Sequence, residues 1–150
     1  MMKKLRVVLL AMALLCWLFA CTGETEQATP TDYTVFCGRY TDTETDEGPC
    51  YTVNIISVDN ETKTIELQIS YVGINSSPVY ETEPICATLA SDHTASFAWK
   101  DSWKNQGTGI LALHPDDPSQ VQLMMTVTEE AEVNRATLAT NDAYKTLMRR

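Results

Sequence analysis

Positive charge is scarce in this chain. Its 150 residues carry 11 Lys and Arg against 20 Asp and Glu, a formal net charge of −9. A surface so acidic repels phosphate backbones, which argues against nucleic acid as a partner. Histidine is scarcer still: His93 and His114 are the only two, and each borders a turn sequence. No Ser or Cys near either suggests a nucleophile with its base, and no G-x-S-x-G is present. Carboxylates abound, yet nothing in the sequence singles out two of them as an acid–base pair. The chain therefore reads as a binding protein and not an enzyme, with no cofactor. Among five cysteines there is no C-x-x-C pair, so no zinc site is expected. No repeat of fixed period occurs, and the absence of long helical periodicity excludes βαβ units.

Long apolar runs are also missing. The apolar stretch Val7–Ala20, with no charged residue, has 14 residues, where a membrane-crossing helix needs roughly 20. That length suits the apolar region of a signal peptide, and Lys3, Lys4 and Arg6 supply the positive stretch before it. The run ends Leu18-Phe19-Ala20-Cys21. This segment resembles a bacterial lipobox, with a branched apolar residue, a small residue and then the cysteine that takes the lipid; Phe19 is bulkier than the usual occupant of its position. The resemblance implies a signal peptide over residues 1–20, removed with Cys16 inside it, and diacylglycerol on Cys21. An ordinary secretory signal cut near Ala20 and a retained N-terminal anchor helix are the alternatives. Two or more acyl chains anchor stably, since each buried CH₂ contributes about 0.8 kcal/mol. The implied location is lipid-anchored and extracytoplasmic, on the cell membrane or the outer membrane. Thr22, in place of aspartate after the lipidated cysteine, permits outer-membrane sorting where two membranes exist.

Cleavage removes three of the 11 cations, leaving 8 Lys and Arg against 20 Asp and Glu, a net −12. Residues 22–32 contain no large apolar side chain and read as a flexible tether. Residues 33–150 are long enough for one domain with its own core.

Within that domain apolar residues recur at every second position. Tyr51, Val53 and Ile55 form one set, and Ile65, Leu67, Ile69 and Tyr71 another. Ile85, Ala87 and Leu89 follow, then Ala95, Phe97 and Trp99. Leu111 and Leu113 share phase with Gly107 and Gly109, and Val121, Leu123, Met125 and Val127 close the series. Such alternation predicts strands with one buried face. Tyr33–Tyr40 is a plausible first strand and Ala136–Ala139 a short last one. Turn residues separate the runs, as in Asp59-Asn60-Glu61, Asn75-Ser76-Ser77-Pro78, Ser91-Asp92 and Pro115-Asp116-Asp117-Pro118. The expected fold is all-β: an antiparallel up-and-down meander closed into a small barrel, or a two-sheet sandwich. A short C-terminal helix is expected after a cap at Thr140, Asn141 or Asp142, with Tyr144, Leu147 and Met148 on one stripe.

Gly38-Arg39-Tyr40, which resembles the G-x-W opening of calycins, and the segment Trp99-Lys-Asp-Ser-Trp103-Lys-Asn-Gln-Gly107-Thr-Gly109 make the domain similar to small lipocalin-like lipoproteins of bacteria. The resemblance implies a barrel; Tyr40 stands where that family has tryptophan.

Cys37, Cys50 and Cys86 remain in the domain, and the strand phases put all three on the outer face. Cys37–Cys50, flanking one loop, is the favoured disulfide, worth roughly 3 kcal/mol in the chain-entropy model. Cys37–Cys86, Cys50–Cys86 and no bridge are the alternatives. The acidic loop Asp42–Gly48 offers oxygen ligands but is no EF-hand: Glu47 stands where glycine is required and Val53 where a bidentate glutamate is. It reads as a solvated loop. Trp99 and Trp103, four apart with Asp101 between them, are the candidate ligand-binding residues, able to stack on a sugar or cap a cavity mouth; continuation of the core stripe is the plainer alternative. The functional expectation is a tethered barrel that binds a small molecule, peptide or glycan. The alternative is an envelope protein acting by protein contact. Small cysteine-bearing β domains of this size resemble lysozyme-inhibitor lipoproteins, although their S-G-x-x-Y motif has only a distant echo in Ser77-Pro-Val-Tyr80.

Replacing Cys21 by Ala is expected to leave the precursor uncut and without lipid. Mass spectrometry of membrane-extracted protein reads both changes, and a variant still shortened at Ala20 would show an ordinary secretory signal instead.

Overall fold

The computed structural model describes residues 31–43, 49–73, 79–131, 138–140 and 143–150. A short 3-10 helix, Tyr33–Phe36, leads into nine strands: β1 (Gly38–Thr41), β2 (Cys50–Asp59), β3 (Thr64–Val72), β4 (Val79–Glu81), β5 (Ile85–Thr88), β6 (Thr94–Lys100), β7 (Gln106–Leu113), β8 (Gln120–Glu129) and β9 (Lys145–Arg149). All pairings are antiparallel. The strands make one sheet in the order β4-β3-β2-β1-β9-β8-β7-β6, curled into a half-barrel. β4 and β5 lie one after the other along β3. They meet β6 at two bridges, Thr82–Asp101 and Leu89–Ala95. Apart from β4 and β5, which share β3, strands adjacent in sequence are adjacent in space, and the first strand pairs with the last, as expected of an up-and-down meander.

The predicted alternation is realised on the inner face. Ile65, Leu67, Ile69, Ala95, Leu111, Val121, Leu123 and Met125 are fully buried, and the residues between them are more exposed. Inside, volume is matched across strands. Phe97 faces Gly109 and Trp99 faces Gly107. A Cβ on Gly109 would stand 2.4 Å from the Phe97 ring, and one on Gly107 would stand 2.6 Å from the Trp99 ring and 2.0 Å from the Thr126 carbonyl oxygen. The rings lie where side chains would otherwise be, so these two positions accept hydrogen alone.

The N-terminal segment departs from expectation. Only Gly38–Thr41 is strand, because Asp32 caps the 3-10 helix: its Oδ1 accepts from the Thr34 amide at 3.0 Å and the Thr34 hydroxyl at 2.7 Å. Phe36, fully buried, plugs this end of the half-barrel. Asp32, Asp59, Asp92 and Asp117 each serve a turn in this way. Hydrogen bonds, first from the hydroxyls of Thr34, Thr62, Thr94 and Ser119, hold their carboxyls below the usual carboxylate range. Part of the acidic excess is therefore turn chemistry.

The C-terminus also departs. Residues 145–149 form β9, not a helix. Of the expected stripe only Leu147 is buried, while Tyr144 and Met148 are 49% and 47% exposed. A helix this short gains little by itself. As a strand the segment pairs with β8 from Gln120 to Leu123 and with β1 at Tyr40 and Thr41. Arg149 reinforces that closure, its guanidinium donating to the carbonyls of Val35 at 2.8 Å and Cys37 at 2.7 Å. Gly38 carries φ +145°, and a Cβ there would press on this guanidinium at 3.3 Å. Half of the expected strand Ala136–Ala139 lies outside the described residues, and Leu138 and Ala139 are not strand; Thr140 bonds to the Met125 backbone, also without being strand.

No disulfide joins the three cysteines, which are all free. The β1–β2 register explains why for the favoured pair. Thr41 opposes Thr52 and Gly38 opposes Ile55, so Cys37 and Cys50 sit at opposite ends of the hairpin, about 20 Å apart along the strand. A disulfide needs Cα atoms within about 7 Å. Cys50 opposes Val72 and Cys86 opposes Glu66 on β3, a similar separation, and β2 and β3 intervene between Cys37 and Cys86. Cys86 is exposed and Cys37 half-buried; Cys50 is covered, at 5% exposed, although it alternates with the inward Tyr51.

Gly107→Ala is expected to lower stability by about 3 kcal/mol through overpacking, read from the urea midpoint; a loss under about 0.5 kcal/mol would show that the Trp99 ring does not need the space.

Candidate functional site

Two ends of the half-barrel differ in chemistry. At the end remote from the 3-10 helix, strand phase and register assemble a row of aromatic rings. Tyr51 is the first inward residue of β2, and it pairs across the strands with Tyr71 at the end of β3, which pairs in turn with Tyr80 on β4. Ring centroids are 4.7 Å apart for Tyr51–Tyr71 and 6.4 Å for Tyr71–Tyr80, and Trp103 from the β6–β7 turn continues the row 5.5 Å from Tyr80. All the planes are tilted, a favourable arrangement for aromatic pairs. Tyr51 and Tyr80 are buried, whereas Tyr71 and Trp103 are only partly so. Open π surface at this mouth therefore comes from Tyr71 and Trp103, with Tyr80 between them.

Cation and carboxylate close the row at its Tyr51 end. The Lys145 ammonium lies 4.7 Å from the Tyr51 ring centroid and 3.0 Å from Asp42 Oδ2, a cation–π contact beside an ion pair. Asp42 Oδ1 accepts from the Tyr51 amide at 2.7 Å, and the Tyr51 hydroxyl donates to the Ala139 carbonyl at 2.7 Å. Burial, then the neighbouring Tyr71 and Asp42, push the Tyr51 hydroxyl up to about 12. It stays protonated at neutral pH and works as a structural donor.

The residues singled out by sequence have separate positions. Trp103 joins the row. Asp101 is buried beneath it as the organiser of the β6–β7 turn: Oδ1 accepts from the amides of Trp103 at 2.9 Å and Asn105 at 2.8 Å, and Oδ2 accepts from Asn105 Nδ2 at 2.8 Å. Fully buried Asn105 uses its own oxygen on the Ala131 amide at 2.8 Å, tying the turn to the end of β8. Trp99 is 4% exposed, its ring over Gly107 and its indole N–H donated to the Thr108 carbonyl at 3.0 Å. It belongs to the core stripe. An open groove of about 320 Å³ runs outside it, between β5 and β6, past Pro84, Cys86 and Lys100. Cys21 and residues 44–48 of the acidic loop lie outside the described residues, as do Ser77 and Pro78. Among the described residues no three His, Cys, Asp or Glu side chains gather to hold a metal ion.

His93 and His114 come together at the other end, in an open cleft of about 560 Å³ with Asp92, Asp116 and Gln120. His93 Nδ1 contacts the Tyr33 hydroxyl at 2.5 Å, so this ring secures the 3-10 helix. The aromatic row is what sequence reasoning missed. Tyr51 and Tyr71 each continued an inward stripe, and only the pairing register shows that their strand ends coincide. Comparison with protein-family models, curated proteins and solved structures gives no match to this chain.

The Tyr51 contribution to stability has a defined pH range. The folded state favours the neutral hydroxyl, so the contribution is complete below the ordinary tyrosine value of about 10 and is lost as pH rises through about 12. The denaturation midpoint is expected to fall over that interval, and Tyr51→Phe to make the fall shallower; an unchanged slope would assign the alkaline transition to other groups.

Proposed function

We propose that this chain is a lipid-anchored, extracytoplasmic envelope lipoprotein whose half-barrel binds a peptide or glycan at its aromatic mouth, without catalysis. The lipobox-like Leu18–Cys21 segment supports the anchor. One observation carries the choice of site: the interior is occupied by the protein's own side chains. Phe36, Tyr40, Val53, Ile55, Ile65, Leu67, Ile69, Leu111, Leu123 and Met125 are all at most 1% exposed. A lipocalin-type ligand held inside would need that volume. Binding is therefore assigned to the rim, where Tyr71 and Trp103 offer partly open rings over a rigid, buried Tyr80. Aromatic faces of this kind stack on sugar rings, prolines and other aromatics. The described residues begin at Thr31, beside the 3-10 helix, at the end of the half-barrel opposite the mouth.

Protein contact remains the second reading, since a filled β domain also suits an inhibitor that acts by its surface. Both readings place the partner outside the barrel wall.

Titration of the mature protein with peptidoglycan fragments and with proline-rich peptides, followed by tryptophan fluorescence, tests the site. Trp103→Ala and Tyr71→Ala are each expected to weaken binding at least tenfold, in keeping with about 1–3 kcal/mol for loss of one stacking ring, while leaving the urea midpoint near its original value. Binding unaffected by both substitutions would remove the mouth from consideration, and inhibition of lysozyme by the same protein would establish the second reading.

A further inference from the structure

The outer face of β6–β9 is nearly free of charge. Burial alternates along each of these strands, and strand register arranges the outward phase in transverse rows. Thr94, Ala112, Gln122 and Thr146 make one row, Ser96, Ile110 and Met124 the next, and Ala98, Thr108 and Thr126 a third. None of these side chains is charged, in a chain with 11 cationic and 20 anionic ones. Charge returns in the border row, where Lys100 and Glu129 flank Gln106 on either side. Among the described residues neither is in an ion pair. On the β9 side, Met148 is 47% exposed, and Tyr144, directly before that strand, is 49% exposed. Protein interfaces are depleted in Lys, Glu and Asp at their centres and enriched in Met and Tyr. Rows of Thr, Ala, Ile and Met leave water at little cost, whereas a carboxylate does not.

The face also has relief. An open hollow of about 440 Å³ lies where Phe97 meets Gly109, with Ser96, Ala98, Thr108, Ile110 and Met124 around it. Phe97 and Gly109 turn inward, so their backbones form its floor. Small side chains, Ser96 and Ala98, stand on the β6 side, and the long Met124 stands on the β8 side.

This pattern selects a second copy of the chain as the occupant. Two copies with the same net negative charge repel over most of their surfaces, and these rows offer an approach without like charges. A two-fold axis along β7 lays β6 of one copy over β8 of the other. Met124 of each copy then enters the hollow beside Ser96 and Ala98 of the other. Lys100 of each copy stands over Glu129 of the other, because both belong to the Gln106 row. Sheets packed face to face align to within about 30°, which keeps these rows in reach of one another. Four strands about 4.8 Å apart and about seven residues of about 3.3 Å each give about 450 Å² per copy. The pair buries about 900 Å², which places the association in the weak, transient class.

We propose that the outer face of β6–β9 is a self-association surface that pairs two copies of this chain, sheet to sheet, about an axis along β7. It is separate from the aromatic mouth, whose Tyr71 and Tyr80 belong to β3 and β4. The test is sedimentation of the mature chain carrying Cys21→Ser, so that no lipid contributes to association. A reversible monomer–dimer equilibrium is expected between about 1 µM and about 1 mM. Thr108→Glu sets two carboxylates face to face at the axis, and Met124→Glu puts one in the hollow. Each is expected to raise the dimer dissociation constant at least about tenfold while leaving the urea midpoint near its original value, since both positions face outward. Lys100→Glu is expected to raise it about fivefold, the scale of two exposed ion pairs, and Glu129→Lys in the same chain to restore it. A monomer at every concentration overturns the surface, as does a dimer that survives both Thr108→Glu and Met124→Glu. A charge exchange that fails to restore the dimer overturns the axis along β7.

Discussion

Every inward side chain of this half-barrel shares one limited volume, and the rest of the structure follows from how that volume is filled. Nine strands supply an unbroken set of apolar residues, and two aromatic rings from β6 fit only because the positions opposite them on β7 are glycine. The same limit assigns the other parts. The 3-10 helix closes one end with Phe36, and the tyrosine row closes the other. With the inside occupied by the protein itself, recognition is left to edges, rims and outer faces, which is where the aromatic row and the uncharged outer rows stand.

Electrostatics act on a different scale from packing here. The net negative charge is large, but many carboxylates are engaged locally. Asp32, Asp59, Asp92 and Asp117 cap turns, and Asp101 sits buried at the centre of the β6–β7 turn with its oxygens on Trp103 and Asn105 amide groups. Asp42 holds Lys145 against Tyr51. A total charge thus says little about any one surface.

Much of the architecture was legible in the sequence, for a physical reason: period-2 alternation is a local signal, and Ile65-Leu67-Ile69, Ala95-Phe97-Trp99 and Val121-Leu123-Met125 each declare a strand with one covered face. The same rule identified Gly107 and Gly109 as inward. Failures came where long-range pairing decides. Tyr144, Leu147 and Met148 have helical spacing, yet the open edges of β1 and β8 draw residues 145–149 into a strand. Cys37 and Cys50 flank one loop, yet antiparallel register sends them to opposite ends of the hairpin. Asp32, a residue with no apolar signal, turned the expected start of the first strand into a 3-10 helix. Of the candidate site, Trp103 was visible and its neighbours were not, because Tyr51, Tyr71 and Tyr80 become a row only when three strands are in register.

Pairing of the first strand with the last makes the polypeptide a loop in time as well as in space. Tyr40 finds Arg149, and Arg39 finds Arg150, only after everything between them has been laid down. Contacts separated by more than a hundred residues form late and slowly. A chain emerging from its N-terminus during synthesis delivers β1 long before its partner arrives. Throughout that delay β1 presents one unsatisfied edge, so the interval of greatest exposure to misassembly lasts until residues 145–149 pair with it.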